Sequence, residues 1–256
     1  MGKVIKMDLY RIRKERAFWV YIIIAFLSGV VLTPAAKLGA ILLGSWAGEA
    51  SKFETVINLS EILKNPFPLL NAMLIMLSAN TFFYSDVESG YIKNTAGQMS
   101  RKSYSIFSKF TAVIFHNILF ILVGILGNVL GTLPFRHIVF DSAVLGACGT
   151  VLLKVLLLQS LCSVLLLTTA VFRNKALGSV LSVLFGMGLL YLVYIGIDSG
   201  LDRLFPKKNF AISDYMPDQL LTSDDPEVVV SIVVSLVTIV IFLGLSMFIF
   251  DRKDVK

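Results

Sequence analysis

Six uncharged, strongly apolar stretches of about 20 residues divide this 256-residue chain. As helices, such stretches are long enough to cross the ~30 Å hydrocarbon core of a bilayer. A mean hydropathy of +0.81 and a charged content of only 16% agree with that interpretation. The sequence predicts a single all-α membrane domain spanning residues 1–256, with transmembrane helices over 17–36, 65–85, 110–135, 155–172, 176–197 and 228–250.

The start of the fourth helix depends on Lys154. A helix beginning at residue 142 would be ~46 Å long, well beyond the hydrocarbon core, so the sequence favours a start just after the lysine. Lys154 is then expected at the outer end of the helix, with its charge reaching the headgroups. A role in a transport pathway is the alternative.

The basic residues predict which side of the membrane each loop faces. With the N-terminus inside, the cytoplasmic set is the larger one: Lys3, Lys6, Arg11, Arg13, Lys14, Arg16, Lys93, Arg101, Lys102, Lys109, Arg173, Lys175, Arg252, Lys253 and Lys256. The outer set is Lys37, Lys52, Lys64, Arg136, Arg203, Lys207 and Lys208. Both termini are therefore predicted to be cytoplasmic, and the scattered charges do not suggest a nucleic-acid-binding face.

The N-terminal arm, residues 1–16, is predicted to be an amphipathic helix in the inner membrane interface. Ile5, Leu9 and Ile12 recur at helical spacing, while Lys6 and Arg13 lie on other faces. A frayed basic tail that serves only orientation is the alternative. Neither a cleavable signal peptide nor a myristoylation motif fits this arm.

A polar segment, residues 86–109, separates the second and third stretches and is predicted to be a cytoplasmic loop. Ser85 precedes Glu88 by three residues, which is the spacing of a capping box, so a short helix is expected to begin there and to stop near Gly97. Ser100 or Ser103 is a second start signal, leading into the third membrane helix. Because no histidine or cysteine accompanies the carboxylates, docking is favoured over catalysis.

Together these segments resemble the type-2 permease subunits of ATP-binding cassette (ABC) transporters. The similarity covers the arm, the six stretches, the loop and the tail. It rests on Leu9-Tyr10-Arg11, Phe18-Trp19, Glu88, Gly90, Ile92-Lys93-Asn94, Ser100-Arg101, Ser108-Lys109, Phe250 and Arg252-Lys253-Asp254. One departure is Met99, where a proline often precedes the Ser-Arg pair.

The resemblance implies a coupling helix over residues 88–96 that docks on a separate ATP-binding subunit. The expected coupling residues are Glu88, Tyr91, Ile92, Lys93, Asn94 and Arg101. It also implies a second permease copy or homologous permease as partner, the cytoplasmic membrane as location, and export of an amphipathic or hydrophobic substrate, such as a peptide or drug-like compound. The chain has no phosphate-binding loop, so no catalytic residue, cofactor or metal is expected on it.

Polar residues inside the predicted helices form a candidate substrate path, namely Asn71 and Ser78 on the second helix and Ser182 on the fifth. Hydrogen bonds between helices are the alternative use of such groups.

Small residues form two further faces. Gly178, Ser182 and Gly186 lie on one, and Gly127 with Gly131 on the other. Both faces predict close helix packing, and the resemblance allows them to meet a second copy. His116, His137, Cys148 and Cys162 belong to no metal or catalytic motif, and structural roles are expected for them.

The last connection, residues 198–227, mixes acidic and apolar residues. It is predicted to be an external re-entrant hairpin interrupted at Pro217, as in the family resembled. Its acidic rim could attract cationic cargo, or it could be an ordinary solvated loop.

Two other functional classes compete with the permease hypothesis. An ion-coupled secondary transporter normally places acidic residues or histidines within the bundle, and no Asp or Glu lies in the predicted spans. An intramembrane enzyme acting on lipid or peptide should bring carboxylates, histidines or a metal set together near one membrane face.

Overall fold

The computed structural model describes residues 2–46, 56–65, 70–89, 103–204, 211–223 and 226–252. For residues 3, 32–46 and 86 it describes the backbone alone.

Helices make up most of the described chain. They are α1 (Gly2–Lys14), α2 (Arg16–Trp46), α3 (Leu59–Lys64), α4 (Asn71–Glu88), α5 (Ser103–Thr132), α6 (Val144–Phe172), α7 (Lys175–Gly186), α8 (Tyr191–Leu204), α9 (Pro217–Thr222) and α10 (Val228–Arg252). A 3-10 turn, Ile212–Tyr215, precedes α9. Two short strands, β1 (Val56–Asn58) and β2 (His137–Val139), pair in parallel with Val56 opposite His137.

Three described helices, α5, α6 and α10, are long and apolar enough to cross a membrane. The pair α7 and α8 is a fourth if the two count as one span, although they are bent by 75°. The apolar part of α2 whose side chains the structure describes, Arg16–Val31, is shorter than α5, α6 and α10. The chain is thus a mostly helical, multi-pass membrane protein.

Helix α6 is the centre of the bundle. It packs against α10, α3, α4, α5 and α9, and its leucines are buried on several sides rather than along one stripe. In contrast, α10 keeps much of its apolar surface exposed, as expected of a helix that faces lipid on one side.

The arm is helical from Gly2 to Lys14, so the alternative prediction of a frayed tail is wrong for these residues. Its apolar stripe packs against the protein, since Ile12 is buried and Leu9 joins the main core. The Trp19 indole on α2 donates to the Arg13 carbonyl at 2.8 Å, which fixes the corner between α1 and α2.

The predicted helix start at Ser85 is wrong. Helix α4 runs without a break to Glu88, so Ser85 lies in its last turn and its hydroxyl donates to the Phe82 carbonyl at 2.8 Å. The capping-box spacing occurs here inside a helix, where the amides already have partners. Of the two predicted starts, Ser103 is the first described residue of α5, which continues through the apolar stretch, and Ser100 lies outside the described residues.

Helix α6 also differs from the prediction, because it begins at Val144 and passes through Lys154. It is ~43 Å long by its 29 residues, and Lys154 is only 2% exposed. The lysine lies among packed helices instead of reaching the headgroups, so its predicted position at the outer end of the helix is wrong.

The predicted fifth helix is broken. Helix α7 ends at Gly186, and α8 leaves at 75° after a turn in which Gly188 has a φ of 64°. Glycine adopts this left-handed conformation without steric cost, so the glycines permit the break. Pro217, predicted to interrupt a hairpin, is the first residue of α9 and directly follows the 3-10 turn and Met216.

Candidate functional site

A chain of hydrogen bonds between polar side chains crosses the interior of the bundle from α4 to α6. Ser78 Oγ lies 2.9 Å from His116 Nε2, and His116 Nδ1 lies 3.0 Å from Asn117 Oδ1. Asn117 Nδ2 then donates to Gln159 Oε1 at 3.0 Å. These four residues form the "core polar chain".

For a neutral imidazole, the partners fix the direction of each bond. Asn117 uses its amide nitrogen on Gln159, so its oxygen accepts from His116 Nδ1. His116 Nε2 then has a lone pair and accepts from the Ser78 hydroxyl. Gln159 Nε2 completes the chain by donating to the Phe110 carbonyl at 2.9 Å. A neutral imidazole satisfies every one of these bonds.

The core polar chain is closed to solvent. Ser78 is 4% exposed and His116 3%, and the rings of Phe18 and Phe120 pack against the imidazole with centroids 5.5 and 4.6 Å away. The connectivity Ser–His–Asn is that of a nucleophile, a base and an orienting group. Without an accessible serine, its role in this structure is to join α4, α5 and α6.

The predicted path residues are all buried in contacts between helices. Asn71 Oδ1 accepts from the Ser28 hydroxyl at 2.6 Å, which links α4 to α2. Ser78 belongs to the core polar chain, whereas the Ser182 hydroxyl donates to the Gly178 carbonyl of its own helix at 2.7 Å. For Asn71 and Ser78 these contacts favour helix-to-helix bonding, the alternative that the sequence left open.

The predicted small-residue faces pack closely inside the chain. A Cβ added at Gly127 would lie 2.7 Å from the Phe26 carbonyl oxygen on α2, and one at Gly131 would lie 2.7 Å from the Val30 oxygen. On α7, a Cβ at Gly186 would lie 2.4 Å from the Met73 Cα on α4. Backbone approaches this close require glycine, so both faces are already occupied by helices of the same chain.

Four helix ends meet at one end of the bundle. Val87 near the end of α4, Ile106 near the start of α5, Arg173 after α6 and Phe250 near the end of α10 line one small cavity. We call this the "basic end" because its described side chains include Arg11, Arg13, Lys14, Arg16, Lys109, Arg173, Lys175 and Arg252.

Two polar contacts tie the basic end together. The Ser103 amide donates to the Asp251 carboxylate at 2.9 Å, so α10 caps the first turn of α5. The Ser108 hydroxyl donates to Asp8, which also pairs with Arg11 at 3.9 Å. The arm, the start of α5 and the last helix therefore form one connected unit, and the end of α4 lies next to it at the small cavity.

Of the predicted coupling residues, the structure describes only Glu88, which is exposed in the last turn of α4. Tyr91, Ile92, Lys93, Asn94 and Arg101 lie outside the described residues, as does the predicted stop at Gly97.

The opposite end of the bundle is rich in acidic residues. The described ones are Glu61, Asp141, Asp198, Asp202, Asp214, Asp218 and Glu227. Asp141 accepts the Ser60 hydroxyl at 2.7 Å, and that bond lowers the pKa of Asp141 below its usual value. Burial raises the pKa of Asp218, which is fully covered.

Within the described residues, no three His, Cys, Asp or Glu side chains are grouped so as to hold a metal ion. The sequence predicts a structural role for His116 but does not join it to Ser78. One signal was present in the sequence. Ser78 lies ten residues before Glu88, and His116 lies thirteen residues after Ser103. If the two helices are antiparallel neighbours, these side chains lie ~15 and ~20 Å from the same end of the helix pair.

No family model matches the sequence, and no curated protein is significantly similar to it.

Proposed function

We propose that the chain is the membrane-spanning permease subunit of an ABC transporter, driven by a separate ATP-binding subunit and exporting an amphipathic or hydrophobic compound. The family is proposed from the resemblance of the arm, loop and tail, with Glu88, Tyr91, Ile92, Lys93, Asn94 and Arg101 as the docking residues. The second permease copy and the cytoplasmic membrane belong to the same proposal.

The observation that carries the proposal is the meeting of helix ends at the basic end. Residues 90–102 join the end of α4 to the start of α5, and both of these described ends lie beside the end of α10, while α1 bonds to α5. A partner that pushed on this connection would act on four helices at once. That is the mechanical arrangement a permease requires if its energy comes from another chain.

The core polar chain supports transmission of such a push. Helices α4 and α5, which flank the connection, are joined in the interior of the bundle by the bond between Ser78 and His116. Helix α5 is in turn joined to α6 by the bond between Asn117 and Gln159. Helices tied at two levels move together more readily than they slide past one another.

The proposed topology has six crossings, namely α2, α4, α5, α6, the bent pair α7 and α8, and α10. An even number of crossings places both termini on one side, which agrees with α1 and the end of α10 lying together. The basic end is then cytoplasmic by the positive-inside rule, and the acidic end faces outward.

Affinity purification of the tagged chain from a mild detergent tests the proposal. An ATP-binding subunit should co-purify, and the variants Glu88→Ala and Tyr91→Ala should lose it while still inserting into the membrane. Glu61→Ala, an exposed acidic residue at the opposite end, is the matched control and should retain the subunit. Purification without any ATPase partner would contradict the proposal.

A second candidate, an intramembrane hydrolase, has one observation in its favour, the Ser–His–Asn connectivity of the core polar chain, and requires a second conformation in which the buried Ser78 is exposed. A fluorophosphonate probe that labels the wild-type protein but not Ser78→Ala would support it. Absence of labelling in both proteins would argue against it.

A further inference from the structure

An open cleft of about 520 Å³ lies at the acidic end, between the start of α8, the turn Ile212–Tyr215, α9 and the start of α10. Its volume falls within the range of small-molecule sites. None of the predicted path residues Asn71, Ser78 and Ser182 contributes to its lining. We call it the "outer cleft".

The walls of the outer cleft are held by specific polar contacts. The Asp198 carboxylate on α8 accepts the amides of Ile212 and Ser213 at 2.9 and 3.0 Å, which fixes the turn against the helix. Asp218 on α9 accepts the Tyr194 hydroxyl at 3.2 Å, and so joins α9 to α8. These bonds place the lining residues before any ligand arrives.

The lining combines negative charge, aromatic surface and apolar surface. Asp214 and Glu227 are exposed carboxylates, and no lysine or arginine accompanies them in the described part of the lining. The Tyr191 and Tyr215 rings are 44% and 52% exposed, so both can contact a ligand. Leu220, which is only 7% exposed, lies among the apolar lining residues.

Each of these groups selects for a part of the same ligand. Carboxylates and tyrosine faces attract an ammonium or guanidinium group, and apolar surface favours a hydrocarbon body. An anionic ligand would meet two like charges with no described basic partner in the lining. A purely apolar ligand would leave both carboxylates without a partner.

We propose that the outer cleft binds an organic cation attached to an apolar body. The chemistry is shared by a basic side chain in an apolar peptide and by a small lipophilic amine. The inference rests on the proposed function in one respect only, in that the bound cation would be the cargo of the permease at the outer face.

Binding is measured on the full-length protein in nanodiscs of phosphatidylcholine, which carries no net charge. One arm of the experiment uses a fluorescent peptide of alternating lysine and leucine, and the other a fluorescent long-chain alkylamine. A peptide with glutamate in place of lysine is the probe control. Saturable binding of either cationic probe is expected, and the arm that binds identifies the source of the cation.

Asp214→Asn and Glu227→Gln should each weaken binding roughly two- to fivefold, as should Tyr215→Ala, and the double carboxylate variant roughly tenfold. All of these side chains are exposed, so the variants should keep the wild-type unfolding temperature. Glu61→Gln removes an exposed charge outside the cleft and should bind like the wild type.

Three results would overturn the inference: no binding of either cationic probe, equal binding by the carboxylate variants, or equal binding of the glutamate peptide. The assay contains no ATP-binding subunit. A failure here therefore leaves the permease proposal standing, and failure of the co-purification leaves the cleft result standing.

Discussion

Replacing Asn117 by leucine should destabilise the protein by removing the centre of the core polar chain. Two hydrogen bonds of 3.0 Å are lost, one with His116 and one with Gln159, together with a weaker one of 3.7 Å to Cys162 Sγ. Side-chain hydrogen bonds between membrane helices contribute ~0.6 kcal/mol on average and up to ~1.7 kcal/mol each. The free energy of unfolding should therefore fall by about 1–3 kcal/mol, and the upper part of that range applies if the remaining partners stay unsatisfied.

Unfolding in mixed micelles with increasing denaturing detergent, followed by tryptophan fluorescence, measures this loss. Thr111→Leu is the matched control on the same helix, because the Thr111 hydroxyl donates to the Phe107 carbonyl of that helix and to no other helix among the described residues. It should change the unfolding free energy by less than about 0.5 kcal/mol.

The second partner gives the sharper test. In Asn117→Leu the Gln159 oxygen keeps no described donor, so adding Gln159→Leu removes an unsatisfied polar group from the core. The double variant should lose less stability than the sum of the two single variants, by about 0.5–2 kcal/mol. Strict additivity, or an Asn117→Leu protein as stable as the control, would refute this account of the core polar chain.

Three further predictions concern other parts of the molecule. Gly127→Ala should lower the unfolding temperature, because its Cβ would lie 2.7 Å from a carbonyl oxygen of α2, whereas Gly146→Ala meets nothing within 4 Å and should not lower it. The lowered pKa of Asp141 means that its ionised form stabilises the docking of α3. That contribution is present above about pH 4 and should be lost as the pH falls further. The loss should be measured as faster amide hydrogen exchange of α3, after correction for the intrinsic exchange rates. Glu88→Ala and Tyr91→Ala should abolish ATP-dependent export from cells while leaving the amount of membrane-inserted protein unchanged, and normal export would contradict the docking role.

Sequence patterns predicted the elements that depend on local chemistry. The i, i+4, i+7 stripe of the arm gave the helix α1, and a serine before an apolar run gave the start of α5 at Ser103. The small-residue pairs predicted close packing, which the structure confirms for Gly127 and Gly131. These patterns could not predict which helix packs against each small-residue face, because spacing along one helix does not identify the neighbouring helix.

The errors arose where tertiary contacts override a local rule. Lys154 was placed at the outer end of a helix because a helix from residue 142 exceeds the hydrocarbon core. The helix nevertheless begins at Val144, and Lys154 is buried among protein helices, where the cost of a lysine facing lipid does not apply in the same form. Ser85 and Glu88 have capping-box spacing, but α4 continues through them. The break after Gly186 lies in an uncharged run, so a search for charges could not reveal it.

The core polar chain was missed for a similar reason. Its members come from three helices, and 38 positions separate Ser78 from His116. From the sequence, Ser78 suggested a substrate path or a helix-to-helix hydrogen bond, and His116 suggested only a structural role. Only the assembled bundle shows that the four side chains join into one directed chain.

The side of the membrane that residues 90–102 face is the most direct test of the central claim, which is that this connection receives a cytoplasmic ATP-binding subunit. Asn94→Cys is introduced with Cys148→Ser, because Cys148 is exposed and would react with the label, whereas Cys162 is buried. With an impermeant maleimide, position 94 should stay unlabelled on intact cells and become labelled in inside-out membrane vesicles. Asp214→Cys in the same background, at the outer cleft, should show the reverse. Labelling of position 94 on intact cells would contradict the account.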